Sequence, residues 1–254
     1  GCGGQQQEMK SNSNRLRATR LPDLSARRLL AAAVAAACLG GCATGPQANP
    51  VDPLEPFNRG VSRFNDVVDD AVMRPVAVAY EKVVPQLMRT GVSNFFNNLV
   101  DVWSFANSVM QLRAEQSAQT FMRVNVNTFF GLGGLLDVAS EAGLERHRED
   151  FGQTLGRYGV GPGPYLVLPI LGPSTVRDTA ALPVDYYGGL ISNVNDIPVR
   201  NTLYAMRLVD ARAQLLPVDR LLRDAALDRY TLTRDVFLQR RRNDVYDGNP
   251  PDDQ

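Results

Sequence analysis

The chain contains a single histidine, His147, and this limits the catalytic chemistry that its side chains could support. Most protein zinc sites and most activated serine or cysteine nucleophiles depend on imidazole groups. His147 lies in a run of charged residues from Glu145 to Asp150, which predicts an exposed, solvated loop. Ser174 is not in a G-x-S-x-G turn and has no evident base beside it. We therefore predict that the protein is not an enzyme and holds no metal ion.

Two other stretches resemble catalytic motifs only superficially. Gly131–Gly134 is rich in glycine like a phosphate-binding loop, but it follows a helical pattern and no Lys-Ser/Thr pair comes after it. Asp150-Phe151-Gly152 spells the magnesium motif of protein kinases, yet a kinase also needs an upstream strand lysine and well-separated motifs. We interpret both matches as coincidences.

Cys42 is the residue with the clearest predicted chemistry. It follows Leu39-Gly40-Gly41, and an apolar run that begins at Leu29, behind several arginines, leads up to it. This run, Leu29–Leu39, has 11 residues, which fits the core of an export signal and is too short to cross a membrane. The pattern resembles a bacterial lipobox, in which the signal is removed and the cysteine sulfur is acylated. The alternative is ordinary signal cleavage next to an incidental cysteine.

The predicted N-terminal layout follows from this motif. Residues 1–41 are the predicted signal peptide, and 1–8, which precede Met9, are a candidate upstream extension. Residues 42–52 are the predicted lipidated tether, rich in Gly, Pro and Asn. Position 43 is Ala; an Asp there marks retention at the inner membrane in Gram-negative lipoproteins. We therefore expect the protein to be lipid-anchored in the outer membrane and to face the periplasm.

The charge balance excludes one class of partner. The chain has 27 Lys+Arg and 27 Asp+Glu, with a pI of about 6.8. Binding to nucleic acid requires an excess of basic side chains that displace counterions from phosphates. We therefore expect no nucleic-acid partner.

The hydrophobic pattern predicts a mostly α-helical chain, because apolar residues recur at intervals of three and four from Phe57 onward. Tyr165–Leu168 is the only candidate strand. Prolines set the expected ends: the first helix stops before Pro75, and the last two helices divide at Pro217. The predicted helices cover 57–72, 76–84, 92–110, about 116–130, 203–216 and about 217–243.

Charged residues are scarce in two parts of the chain. From Thr90 to Leu136 only four occur, and from Tyr158 to Val176 there are none. A soluble helical protein normally has a charged face on each surface helix. Two interpretations of 90–136 stay open: a buried core pair of helices, or a segment lying in lipid headgroups or against another membrane protein. The prolines and glycines of 158–176 exclude a continuous helix, so this backbone must be buried in protein or border a polar cavity.

The sequence also contains a series of specific motifs: Asp52–Arg59, Phe64-Asn65, Arg89–Leu99, Asp150–Gly156, Gly159–Pro169, Gly172–Asp178 and Tyr230–Arg241. In this order they resemble the MlaA (VacJ) family of bacterial lipoproteins. The similarity extends from Asp52 to about Asp247. One mild departure is Tyr158, where the family pattern suggests tryptophan.

The resemblance implies an all-α fold in which amphipathic helices form a ring-like, membrane-embedded single domain with Gly/Pro-rich loops. This domain is expected over 53–247, followed by a disordered tail over 248–254. The resemblance also implies a function: phospholipids misplaced in the outer leaflet pass through an amphipathic channel to a soluble periplasmic carrier, which maintains lipid asymmetry. Family members associate with trimeric porins in the outer membrane. No cofactor is implied beyond the covalent lipid on Cys42, and the ligand is the transported phospholipid.

A lipid can move only along a continuous apolar surface. Exposing two acyl tails of about 15 methylenes each would cost on the order of 20–25 kcal/mol. We therefore expect the charge-poor segments to line the passage. The predicted lining residues are Phe95, Phe96, Trp103, Phe129, Phe130, Gly131, Gly133, Gly134, Gly161, Tyr165 and Leu168. Two alternatives remain at this point: a non-catalytic scaffold for porins or the envelope, and a phospholipase or acyltransferase.

Overall fold

The structure is a computed structural model that describes residues 51–225 and 228–251. Cys42, the signal peptide and nearly all of the tether lie outside the described residues. The described chain is mostly α-helical, as the sequence predicts. The helices are α1 (Glu55–Val68), α2 (Arg74–Val83), α3 (Gln86–Met110), α4 (Ala114–Phe129), α5 (Val138–Glu141), α6 (Phe151–Arg157), α7 (Val176–Gly188), α8 (Ile197–Ala225) and α9 (Arg229–Val245). None of them combines the length and the apolar composition that crossing a membrane requires.

The predicted strand Tyr165–Leu168 is present as β1. It pairs antiparallel with β2 (Gly172–Thr175), and Tyr165 lies opposite Thr175. Ile170 at the turn has a positive φ of 67°, and its amide donates to Asn65 Oδ1 at 2.7 Å. The charge-free segment therefore forms a hairpin whose tip is held against α1.

The prediction that the first helix ends before Pro75 is wrong. The chain stays helical from Glu55 to Val83, because a π-helical turn over Asp69–Met73 connects α1 to α2. In this turn the amide of Arg74 donates to the carbonyl of Asp69, five residues earlier. Proline lacks an amide donor, and its ring clashes with the carbonyl four residues before it. A wider turn directly before Pro75 accommodates the ring without ending the helix.

The predicted break at Pro217 is also wrong. Pro217 lies inside α8, and the chain instead divides before Asp228, which caps α9. The Asp228 carboxylate accepts hydrogen bonds from the amides of Tyr230 and Thr231, which is the usual role of an N-cap residue. Three further helices, α5, α6 and α7, were not predicted. Asp137, Asp150 and Thr175 cap them through their side chains.

Contacts between the elements form a closed circuit within the described residues. α3 packs against α8, α8 against α2, and α2 continues through the π turn into α1. α1 contacts β1, β2 contacts α7, α7 packs against α6, and α6 contacts α3 again. This closed series of contacts agrees with the ring-like arrangement that the family resemblance implies. α4 packs against α3, and α9 contacts both α6 and β2.

Polar contacts connect the elements where the hydrophobic clusters are small. Asn58 of α1 is fully buried, and its side-chain amide donates to Asp52 Oδ1 at 2.8 Å and to the carbonyl of Tyr165 at 3.0 Å. Its own carbonyl oxygen accepts from the amide of Val167 at 2.9 Å. The hydroxyl of Tyr230 on α9 donates to the second Asp52 oxygen. One polar cluster thus holds the start of the domain, the hairpin and α9 together.

Candidate functional site

The helix pair α3–α4 has its polar residues inside and apolar residues outside. Phe129 and Phe130 at the end of α4 are 76% and 74% exposed, and Phe121, Met122 and Leu132 are exposed as well. In the described residues, buried polar and charged side chains outnumber buried hydrophobic ones. Those on α3 and α4 are Asn98, Asp101, Ser104, Asn107, Ser108, Ser117, Thr120, Arg123 and Asn127. Contiguous exposed apolar surface of this kind marks contact with a membrane or with another protein.

Arg123 is the charged centre of this polar interior. Its side chain is 0% exposed, and its guanidinium donates to Asp137 Oδ1 at 2.8 Å and to Ser140 Oγ at 3.2 Å. Asp101 on α3 lies 3.8 Å from Arg123 and 3.2 Å from Arg146. Burial raises the pKa of Asp101 against the opposing effect of the two arginines. Ion pairs therefore hold α3, α4 and the following loop in one arrangement.

A cavity of about 590 Å³ lies among the elements of the circuit, and we call it the Trp103 cavity. Volumes of this order are typical of sites for small organic ligands or for part of a larger one. Elements α3, α7 and α8, the turn after β1 and the segment leading into α6 provide its walls. The apolar lining is Leu99, Val100, Trp103, Leu171, Leu182, Leu190 and Ile191. The polar lining includes Arg148, Glu149, Asp150, Asp185, Tyr204 and Arg207.

Trp103 is fixed in the cavity wall by a hydrogen bond and by close packing. Its Nε1 donates to Asp185 Oδ1 at 2.8 Å, and the same oxygen accepts from the amide of Phe151 at 2.8 Å. Burial raises the pKa of Asp185, although both hydrogen bonds oppose the shift. Gly188 packs against the other side of the indole, because a Cβ at this position would lie 2.3 Å from the ring. The ring therefore has one defined position at the boundary of the cavity.

The motif around Asp150 shows how α6, α7 and α9 are positioned. Arg241 of α9 donates to both Asp150 oxygens at 2.6 and 2.7 Å, and to Asp178 Oδ2 at 2.9 Å. Burial raises the pKa of Asp150, but the hydrogen bonds from Arg241 outweigh this and lower it overall. Gly152 permits the close approach, since a Cβ there would lie 2.5 Å from Asp178 Oδ1. The kinase-like sequence thus belongs to a structural ion cluster beside the cavity.

The structure brings only one of the predicted lining residues to the Trp103 cavity, namely Trp103 itself. Gly161 lines a different cavity of about 690 Å³ next to the end of α9. Phe96 and Tyr165 are buried, and Leu168 ends β1. Phe129 and Phe130 are exposed at the end of α4. Phe95 packs edge-on against Phe96, with ring centroids 5.5 Å apart.

The three predicted glycines form the turn after α4. Gly133 and Gly134 have positive φ, and a Cβ at Gly134 would lie 2.7 Å from the Asn98 amide nitrogen. A Cβ at Gly131 would lie 2.3 Å from the carbonyl oxygen of Leu136. These glycines serve backbone geometry and close packing against α3, and they do not line the Trp103 cavity.

Most residues that line the cavity were missed, and they come from distant parts of the sequence; among them are Arg148, Leu182, Leu190, Tyr204 and Arg207. Nothing in their local sequence distinguishes them from ordinary helix or loop residues.

The structure also shows the surroundings of the two residues that were considered for catalysis. The prediction that His147 is exposed is wrong: the residue is half-buried, and its Nε2 lies 2.9 Å from Gln119 Oε1. The buried Ser174 hydroxyl contacts the Thr179 hydroxyl at 2.9 Å.

These features define a mostly helical class of protein, with polar groups buried, apolar groups on the surface and an apolar-walled cavity among its helices. The chain belongs to the MlaA lipoprotein family, whose pattern matches residues 50–244.

Individual relatives agree with this assignment over most of the chain. The intermembrane phospholipid transport system lipoprotein MlaA of Escherichia coli K12 is 39% identical over 219 residues, which cover 84% of this chain and 86% of the relative. The lipoprotein of the same name from Haemophilus influenzae is 34% identical over 241 residues, covering 89% and 93%. A solved structure reported as "Structural basis for maintenance of bacterial outer membrane lipid asymmetry" aligns with a TM-score of 0.67 and 38% identity. That alignment covers 78% of this chain and 99% of the other.

Proposed function

We propose that this protein removes phospholipids from the outer leaflet of the outer membrane and passes them, through the Trp103 cavity, to a soluble periplasmic carrier. The observation that carries the proposal is the inverted distribution of side chains around that cavity. Apolar residues cover the outside of α3–α4, and apolar residues also line the cavity inside the circuit. A phospholipid could thus keep its tails on apolar surface while its headgroup meets the polar lining.

Membrane association is part of this proposal. Acylation of Cys42 would anchor the chain, and the exposed Phe129, Phe130 and Leu132 support insertion of the α4 end into the inner leaflet or against a trimeric porin. A lipid anchor with one acyl chain gives only marginal binding, whereas several chains hold a protein durably. The apolar side chains would set the depth and orientation of the anchored domain.

Transport by this route needs no bond to be made or broken in the lipid, so we propose that the protein is not an enzyme. Among the described residues, the candidate nucleophile and base are engaged elsewhere: Ser174 with Thr179, and His147 with Gln119. The exposed arginines of α9, such as Arg240, would face the carrier.

The function is tested by measuring outer-leaflet phospholipid in cells that lack the gene and carry either no copy, the wild type or the Cys42→Ala variant. Phospholipid should accumulate in the outer leaflet without the gene and fall again with the wild type. Unchanged asymmetry after deletion would contradict transport and favour a scaffold. Full rescue by Cys42→Ala would contradict the proposed anchor but leave transport intact.

A further inference from the structure

The carboxylates that line the Trp103 cavity already have partners. Asp150 is paired with Arg241 through both oxygens, and Asp185 Oδ1 accepts from Trp103 and from a backbone amide. Glu149 accepts from Arg113 at 2.8 Å and from a glutamine amide at 2.8 Å. These acids therefore present little free negative charge to a ligand.

The two arginines of the cavity differ from the acids in this respect. Arg148, just before α6, donates to Asn97 Oδ1 at 2.6 Å. Neither Arg148 nor Arg207 of α8 forms an ion pair with any carboxylate of the residues that the structure describes. The cavity wall thus contains two guanidinium groups that are free of direct ion pairs with the described carboxylates.

Both arginines are exposed to solvent at the cavity wall, so a ligand can contact them. Partial burial of the guanidinium group lowers the pKa of Arg207 and of Arg148; for Arg148 the repulsion of Arg146 adds to this effect, and the attraction of Asp101 opposes it. Guanidinium groups bind phosphate oxygens through paired, charge-assisted hydrogen bonds, and these strengthen in apolar surroundings.

We propose that Arg148 and Arg207 together bind the phosphate group of a phospholipid whose acyl chains lie along Leu99, Trp103 and Leu190. This inference deepens the proposed transport function and rests on it. The phosphodiester is common to all phospholipids, and the partnered acids offer no strong site for a headgroup amine. Zwitterionic and anionic phospholipids are therefore both ligands, whereas an acyl lipid without phosphate is not.

The inference is tested with the full-length lipoprotein in two sets of vesicles. One set contains phosphatidylglycerol, and the other contains diacylglycerol. The protein is then purified from each set in mild detergent. The measured quantity is the lipid retained per protein molecule. The Arg148→Gln/Arg207→Gln double variant removes both cations, and the lysine double variant keeps the charge. Arg157→Gln is the matched control, because Arg157 is an exposed arginine at the end of α6 that does not line the cavity. Circular dichroism verifies that each variant is folded.

We expect each Gln substitution to lower retention of phosphatidylglycerol on the order of tenfold, since each removes charge-assisted hydrogen bonds. The lysine double variant should retain more lipid than the Gln double variant, and Arg157→Gln should equal the wild type. Soluble glycerol 3-phosphate should compete only weakly, because it lacks tails. Strong competition would show that the site binds free phosphate instead of a lipid.

Three other outcomes overturn the inference and are distinguishable from one another. If the wild type retains phosphatidylglycerol and the Gln double variant retains it equally, the arginines do not bind the phosphate, but the transport function stands. If the wild type retains diacylglycerol as well as phosphatidylglycerol, phosphate is not recognised at all. If the wild type retains neither lipid, the proposed transport function fails, and this inference fails with it.

Discussion

The Gly188→Ala variant tests whether Trp103 occupies the cavity wall as described. An added Cβ would lie 2.3 to 2.4 Å from three carbon atoms of the indole, which is far inside ordinary van der Waals contact. The ring must move by about 1 Å, toward the cavity, and this strains its 2.8 Å hydrogen bond to Asp185. Overpacking of this kind typically costs about 1–3 kcal/mol of unfolding free energy.

Trp103 is the only tryptophan in the chain, so its fluorescence reports the ring directly. We expect a shifted emission maximum in Gly188→Ala, together with a lower unfolding midpoint in detergent and reduced lipid transport. Gly60→Ala is the matched control: the residue lies in α1 and nothing is within 4 Å of its added Cβ. That variant should gain about 0.5–1 kcal/mol from improved helix propensity. Wild-type emission and stability in Gly188→Ala would refute the packing argument.

Three further predictions concern the polar interior, pH and the apolar surface. Arg123→Met removes the fully buried cation of the cluster and leaves only the partly exposed Arg146 to pair with Asp101 and Asp137. The unfolding free energy should fall by about 2–4 kcal/mol, and a loss below 1 kcal/mol in denaturant titrations would contradict the ion-cluster account. Burial raises the pKa of Glu149 to about 7. The folded state then binds more protons than the unfolded state between about pH 4.5 and 7, so stability should fall by about 3 kcal/mol as pH rises through that range. Glu149→Gln should flatten this slope, and an unchanged slope would show that another group titrates. Phe129→Ser/Phe130→Ser should weaken binding of a non-acylated form to lipid vesicles by about 3–6 kcal/mol if both rings insert, and flotation assays with equal binding would contradict insertion.

The helical fold could be predicted from the sequence because the spacing of apolar residues is a local property. The same spacing does not show which face of a helix is buried, and α3 and α4 bury polar residues such as Asn107 and Arg123. The expected helix ends at Pro75 and Pro217 were wrong because each proline is accommodated inside a longer helix. Neighbouring helices support the backbone there, and a local pattern contains no information about them.

The cavity was predictable only in part. Trp103 stood out as a large aromatic residue in a charge-poor helix, and it does line the site. Arg148 and Arg207 are nearly sixty positions apart, in segments that read as solvated, and only the closed circuit of elements places both at one cavity. Phe129 and Phe130 have the composition expected of a lipid contact, yet they lie on the surface and not in the Trp103 cavity. The lining residues of such a cavity depend on tertiary contacts that sequence spacing does not encode.

The central claim is that phospholipid enters the Trp103 cavity, and site-specific photo-crosslinking in living cells tests it most directly. A photoreactive phenylalanine analogue replaces Tyr204 in the cavity wall, and in a second strain it replaces the exposed Glu145 in the charged loop. The account predicts a phospholipid adduct at position 204, detected by mass spectrometry, and little or none at position 145. No adduct at position 204, or equal adducts at both positions, would contradict passage of lipid through this cavity.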